Sequence, residues 1–122
     1  MSNLGNYYGT GINELAVALC KAQSEMKGAR ALADNPFFKS KYADLESVWE
    51  AIREPFTKNG LCVLQPTSII DGRLVVRTLL LHSSGQMIEG ITPVKSKDES
   101  AQAMGSAISY ARRYGLSSMC GV

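Results

Sequence analysis

Little in this chain supports catalysis or metal binding. Among its 122 residues there are three cysteines and one histidine. Cys20, Cys62 and Cys120 are odd in number and far apart, with no CxxC pair. Neither a disulfide framework nor a zinc site is therefore expected, and the cysteines read as small buried residues in a reducing cytosol. There is no GxxxxGK[ST] phosphate loop, no acidic cluster spaced for two metals, and no Ser or Cys nucleophile with an identifiable base partner. The chain is expected not to be an enzyme and to need no cofactor. No apolar run approaches transmembrane length, and the N-terminus has no basic stretch before its first apolar segment, so a soluble cytoplasmic protein is expected, with no membrane partner.

What is present fits one domain over residues 1–122 with a single core. It divides into an arm at 1–11, a helical part at 12–60 and a mainly β part with a final helix at 61–122. The net charge of +2 becomes informative when divided along the chain. Acidic and basic residues cancel in 1–36, 37–60 and 61–92, whereas 93–122 sets Lys95, Lys97, Arg112 and Arg113 against Asp98 and Glu99. The whole positive excess is C-terminal. The sequence ends at Gly121-Val122 directly after a helical pattern with no polar tail, which suggests that the natural protein continues.

In the helical part, Ile12, Leu15, Ala16, Leu19, Ala22 and Met26 keep helical spacing, with Glu14 near the start, Lys27 near the end and Gly28 as the cap. The arm before them, rich in Gly, Asn and Tyr, offers Tyr7 and Tyr8 to an apolar neighbour or another subunit. Residues 29–42, ARALADNPFFKSKY, read as a loop. There Phe37 and Phe38 beside Lys39, Lys41 and Tyr42 suit stacking on bases while holding phosphates; equally, the phenylalanines fill the core and the lysines are solvated. Leu45, Val48, Trp49, Ile52 and Phe56 mark a second amphipathic helix ending at Asn59-Gly60. Pro55 is expected to kink it or to break it at Glu54.

After Gly60 the period becomes strand-like. LCVLQPTSII, RLVVRTLLLH and QMIEGITPV, separated by Asp71-Gly72 and Ser83-Ser84-Gly85, predict a three-stranded antiparallel meander. In the middle strand Arg73, Val75, Arg77, Leu79 and Leu81 share one face, and Leu74, Val76, Thr78, Leu80 and His82 share the other. Both are largely apolar, which leaves open which one meets the helices and implies burial on both sides, one of them by a neighbouring subunit. His82, with no carboxylate or cysteine near it in sequence, reads as a strand-end polar residue rather than a base.

Ser96 followed by Glu99 is a capping-box pattern, Asp98 is a second possible cap, and Gly115 is a natural stop, so a helix over about 98–115 is predicted. At about 100° per residue, Ala101, Met104, Ala107, Ile108 and Ala111 form its buried stripe. Gln102, Ser106, Ser109 and Arg113 line up opposite. An ordinary solvated face carries long Glu and Lys side chains; here three short polar groups lead to an arginine. Such a surface admits a phosphate backbone or another subunit at close range, and Arg112 and Arg113, flanked by Tyr110 and Tyr114, add charge and planar groups for stacking. Helix-on-helix packing with a basic C-terminus is the plainer alternative.

KYADLESVWEAI, the passage from NGL to VLQ, LLLHSSGQMIEG and above all QAMGSAISYARRYGL resemble the ERF (essential recombination function) family of phage single-strand annealing proteins, within a Rad-fifty-two-like annealing superfamily. The similarity covers most of residues 35–121. It implies an α+β fold with two N-terminal helices, a β-meander and a C-terminal helix packed on the sheet, a β-β-β-α annealing core. It also implies a phage- or prophage-encoded protein, in a bacterial cytoplasm, that binds single-stranded DNA without ATP, anneals complementary strands and assembles into rings or helical filaments. Arg112 and Arg113, Gln102, Ser106, Ser109, Tyr110 and Tyr114 are the DNA-binding candidates, with Lys39, Lys41, Arg73 and Arg77 beside them. Partners beyond DNA and further copies of the chain would be a phage exonuclease or a host single-strand binding protein. A structural oligomerisation module without annealing activity is the alternative.

Overall fold

The computed structural model describes residues 11–26 and 44–122. Tyr7 and Tyr8, the cap at Gly28, and the segment carrying Phe37, Phe38, Lys39, Lys41 and Tyr42 lie outside the described residues. Helix α1 spans Asn13–Glu25 and helix α2 spans Leu45–Lys58. In α1 the apolar spacing buries Leu15, Ala18 and Ala22, with Ile12, Leu19 and Met26 packed around them. Helix α2 starts at Asp44, whose carboxylate accepts the Ser47 N–H at 2.8 Å, and buries Val48, Ile52 and Phe56.

Pro55, expected to kink the second helix or break it at Glu54, does not break it. The proline removes one donor, yet α2 continues to Lys58 because its last turn is anchored from both sides. Phe56 is buried in the core, and Asn59 Nδ2 donates both to the Pro55 carbonyl and to Glu25 Oε1 of α1, each at 2.7 Å. Lys58 adds an ion pair to Glu25 at 3.0 Å. The Asn59 hydrogen bond, then Lys58, holds the Glu25 carboxyl below its ordinary range.

Four strands replace the three expected. β1 (Leu61–Leu64) and β2 (Thr67–Ile70) lie end to end along one edge of β3 (Arg73–His82), and β4 (Met87–Pro93) pairs with its other edge, all antiparallel. The pairs Leu64↔Leu79 and Thr67↔Val76 keep one register, so β1 and β2 are a single strand path interrupted at Gln65-Pro66. Pro66 has no N–H for the ladder, though its carbonyl accepts the Arg77 N–H at 2.8 Å. At the tight turn between β2 and β3, Asp71 and Gly72 both have positive φ, 51° and 76°, as a type I′ hairpin requires.

Register settles which face of the sheet meets the helices. Leu61, Val63 and Leu80, with Ile88 beside them, form one core with Leu15, Ala18 and Ala22 of α1, Val48, Ile52 and Phe56 of α2, and Leu116 and Cys120 of the last helix. Full burial of each Leu or Ile contributes about 1.5–3 kcal/mol. On the opposite face Leu64 and Ile91 are 56% and 52% exposed. Of the cysteines only Cys120 is buried, its thiol pushed up to about 12 by desolvation; Cys20 and Cys62 are exposed, contrary to expectation. His82 closes β3, where its Nδ1 accepts the Ser84 N–H at 3.1 Å.

The last helix, α3, spans Ala101–Cys120 and differs from expectation at both ends. Ser100, rather than Ser96 or Asp98, is the N-cap, its hydroxyl accepting the Ala103 N–H at 3.1 Å. Gly115 does not stop the helix: it is buried inside it, and the left-handed cap is Gly121, with φ 77°. A Cβ at Gly115 would come within 2.4 Å of Thr78 Oγ1 and 3.1 Å of Thr92 Oγ1. The glycine therefore sets how closely α3 lies on the sheet.

Candidate nucleic-acid interface

One rigid element, α3, carries most of the residues selected from sequence. Gln102, Ser106 and Ser109 are exposed on it, and Arg113 is half-buried one turn beyond Ser109. Tyr110 and Tyr114, also one turn apart, are 56% and 43% exposed. Their rings meet edge to face with centroids 4.7 Å apart, and their hydroxyls are 3.0 Å apart. The Arg113 guanidinium carbon lies 4.9 Å from the Tyr110 centroid and 4.7 Å from that of Tyr114. Spacings of i, i+3 and i, i+4 bring Arg113 and Tyr114 to Tyr110, Arg113 and Tyr114 are adjacent in sequence, and ring quadrupoles favour a cation there. The Tyr110 hydrogen bond, and after it Arg113, lowers the Tyr114 phenol from its ordinary range.

The first turns of α3 and the chain leading into it enclose an open groove of about 470 Å³. Its lining includes Lys95, Lys97 and Asp98 from the chain leading in, and Gln102, Ser106 and Tyr110 from the helix. Tyr110 thus belongs both to this groove and to the Arg113 cluster. The Asp98 carboxylate accepts the Ser100 N–H at 2.8 Å, and Ser100's side chain and backbone together hold its carboxyl below the ordinary range.

The ERF superfamily profile matches residues 15–122. The chain belongs to the ERF superfamily. This membership supports the class of recombination-related proteins to which the sequence resemblance pointed, and the match includes all of α3. Neither curated proteins nor solved structures yield a match.

Not every candidate joins the α3 cluster of this ERF protein. Arg73 and Arg77 share the β3 face opposite the helical core, so they do not line one surface with Arg113. Arg77 is also ion-paired through Nε with Glu89 Oε2, whose residue is only 7% exposed. Its charge compensates a buried carboxylate, a role for which loss of one partner is costly. Arg112 lies at the flank of the stripe, as the helical wheel predicts. It is half-buried, and its Nε is buried with no hydrogen-bond partner among the described residues. Its backbone carbonyl accepts from Gln65 Nε2 at 2.9 Å, and the same amide nitrogen donates to Thr78 Oγ1 at 3.0 Å. Lys39 and Lys41 lie outside the described residues.

Two features of the ERF protein went unread in the sequence. Gln65, at the strand break, ties the sheet to α3, and nothing in a lone Gln-Pro signals this. Lys95 and Lys97 line the groove; their share in the C-terminal positive excess was the available signal. Among the described residues no helix is long and apolar enough to cross a membrane, and no group of three or more His, Cys, Asp or Glu stands ready to hold a metal ion.

Proposed function

We propose that this protein binds single-stranded DNA and anneals complementary strands in recombination, as a binding protein without a catalytic step of its own. The observation that carries the reading is the Arg113 guanidinium held against the exposed Tyr110 and Tyr114 rings, at the end of a helix face whose other members are short and polar. An annealing protein must grip phosphates and leave base edges available for pairing. That calls for cations, hydroxyls and stacking surfaces rather than a base-reading code. Superfamily membership supports the same reading.

The proposal includes assembly into a large homo-oligomer, so that a few contacts per subunit add up along one strand. Leu64 and Ile91, exposed on the sheet face away from the helical core, support this part. They equally support the second reading, an oligomerisation module with no annealing activity.

Complementary labelled oligonucleotides mixed with the protein, with neither nucleotide nor divalent metal, should anneal faster than without it. Arg113→Ala should assemble normally, bind single-stranded DNA more weakly whatever its sequence, and lower the log–log salt slope by about 0.7. Normal assembly of the parent chain with no affinity for single-stranded DNA would select the oligomerisation module.

A further inference from the structure

The groove at the start of α3 meets the arginine and tyrosine cluster at Tyr110 and carries charge of its own. Lys95 and Lys97 are exposed and make no ion pair among the described residues. They lie between β4, which ends at Pro93, and α3, and they line the same open groove as Gln102 and Ser106. The helix N-terminus is not what makes this channel attractive to an anion. Two of its N–H groups are already engaged, that of Ala103 by Ser100 and that of Ser100 by Asp98.

We propose that Lys95 and Lys97 are phosphate-contacting residues, and that a single strand follows the groove from them past Gln102 and Ser106 to Tyr110 and on to Arg113. This rests on the single-stranded DNA reading above and extends it. Three observations carry the path. The groove is open to solvent rather than enclosed, as a continuing chain requires. Its polar lining offers two cations, an amide and hydroxyls, a set that suits phosphate and sugar rather than base edges. Tyr110 is shared by the groove and the Arg113 cluster, which makes them one surface. From Gln102 to Arg113 the helix rises about 16 Å at 1.5 Å per residue. That length accommodates about five nucleotides at a rise of about 3.4 Å. Asp98 is the one carboxylate in the lining and opposes the lysines.

Fluorescence anisotropy of a labelled mixed-sequence single strand, measured across a salt series, tests the path. Lys95→Ala/Lys97→Ala should weaken binding and lower the log–log slope by about 1.4, so its deficit against the parent shrinks about sevenfold between about 50 and 200 mM salt. Lys95→Arg/Lys97→Arg should retain affinity and slope. Asp98→Asn should tighten binding about two- to fivefold at low salt. An unchanged slope in the double alanine variant, while Arg113→Ala still weakens binding, would overturn the path and leave the single-stranded DNA reading standing. A parent protein with no affinity for single strands would remove both.

Discussion

From Ala101 to Tyr110, α3 has no fully buried residue, whereas from Ala111 to Cys120 it buries Ala111, Gly115, Leu116 and Cys120. The two halves are one helix with one local propensity, yet tertiary packing gives them different tasks. The second half holds the helix on the sheet. The first is thereby fixed in position with its polar side still accessible, and the arginine and tyrosine cluster sits at the junction. Two glycines ten positions apart make the contrast concrete: a Cβ at Gly105 would meet nothing within 4 Å, whereas one at Gly115 would collide with Thr78.

The sharpest way to break this division is Gly115→Val. Overpacking against Thr78 and Thr92 should cost about 3 kcal/mol, read as a lower urea midpoint. A midpoint equal to the parent's would mean that α3 can lift off the sheet without penalty. Next in size is Tyr110→Ala, which removes an exposed ring and half of the Arg113 support. Its midpoint should match the parent's, while affinity for single strands falls by about 1 kcal/mol or more; a loss of stability instead would assign the ring to the fold. Smaller again is Gly105→Ala, which should raise stability by up to about 1 kcal/mol, because the methyl enters open space and the unfolded chain loses freedom. Destabilisation there would show that the first half is packed after all.

The smallest effect concerns pH. Because the Tyr114 phenol is lowered by Tyr110 and Arg113, it should ionise at a pH below that of an ordinary tyrosine. A phenolate beside Arg113 offsets the cation, so single-strand affinity should begin to fall on the alkaline side before ordinary tyrosines titrate. In Tyr114→Phe that early fall should vanish, as titration of binding across neutral to alkaline pH would reveal.

Much of this was legible residue by residue, for reasons that are local. The spacing of Leu15 and Ala22, and of Val48, Ile52 and Phe56, marks helices because a 3.6-residue period needs no knowledge of the partner. Asp71-Gly72 marks its hairpin because two consecutive positive φ angles suit few other pairs. The stripe of Gln102, Ser106, Ser109 and Arg113, and the tyrosines beside the arginine, follow from the same helical arithmetic. The errors arose where a local rule met a distant contact. Pro55 is expected to kink α2 or break it at Glu54, yet the helix is unbroken because Phe56 in the core and Asn59 on Glu25 hold the turn.

The sequence by itself determined the element types, the hairpin at Asp71-Gly72 and the candidate stripe on α3, because periodicity and turn chemistry depend on neighbours along the chain. Tertiary structure alone decided which face of β3 meets the helices, since its two apolar faces are nearly equivalent until α1, α2 and α3 occupy one. It also set Arg73 and Arg77 apart from Arg113, turned Gly115 from an expected stop into a contact point, and brought Lys95 and Lys97 into one groove with Gln102 and Ser106. Each of these depends on groups distant in sequence meeting in space, and no local pattern encodes a distance between elements.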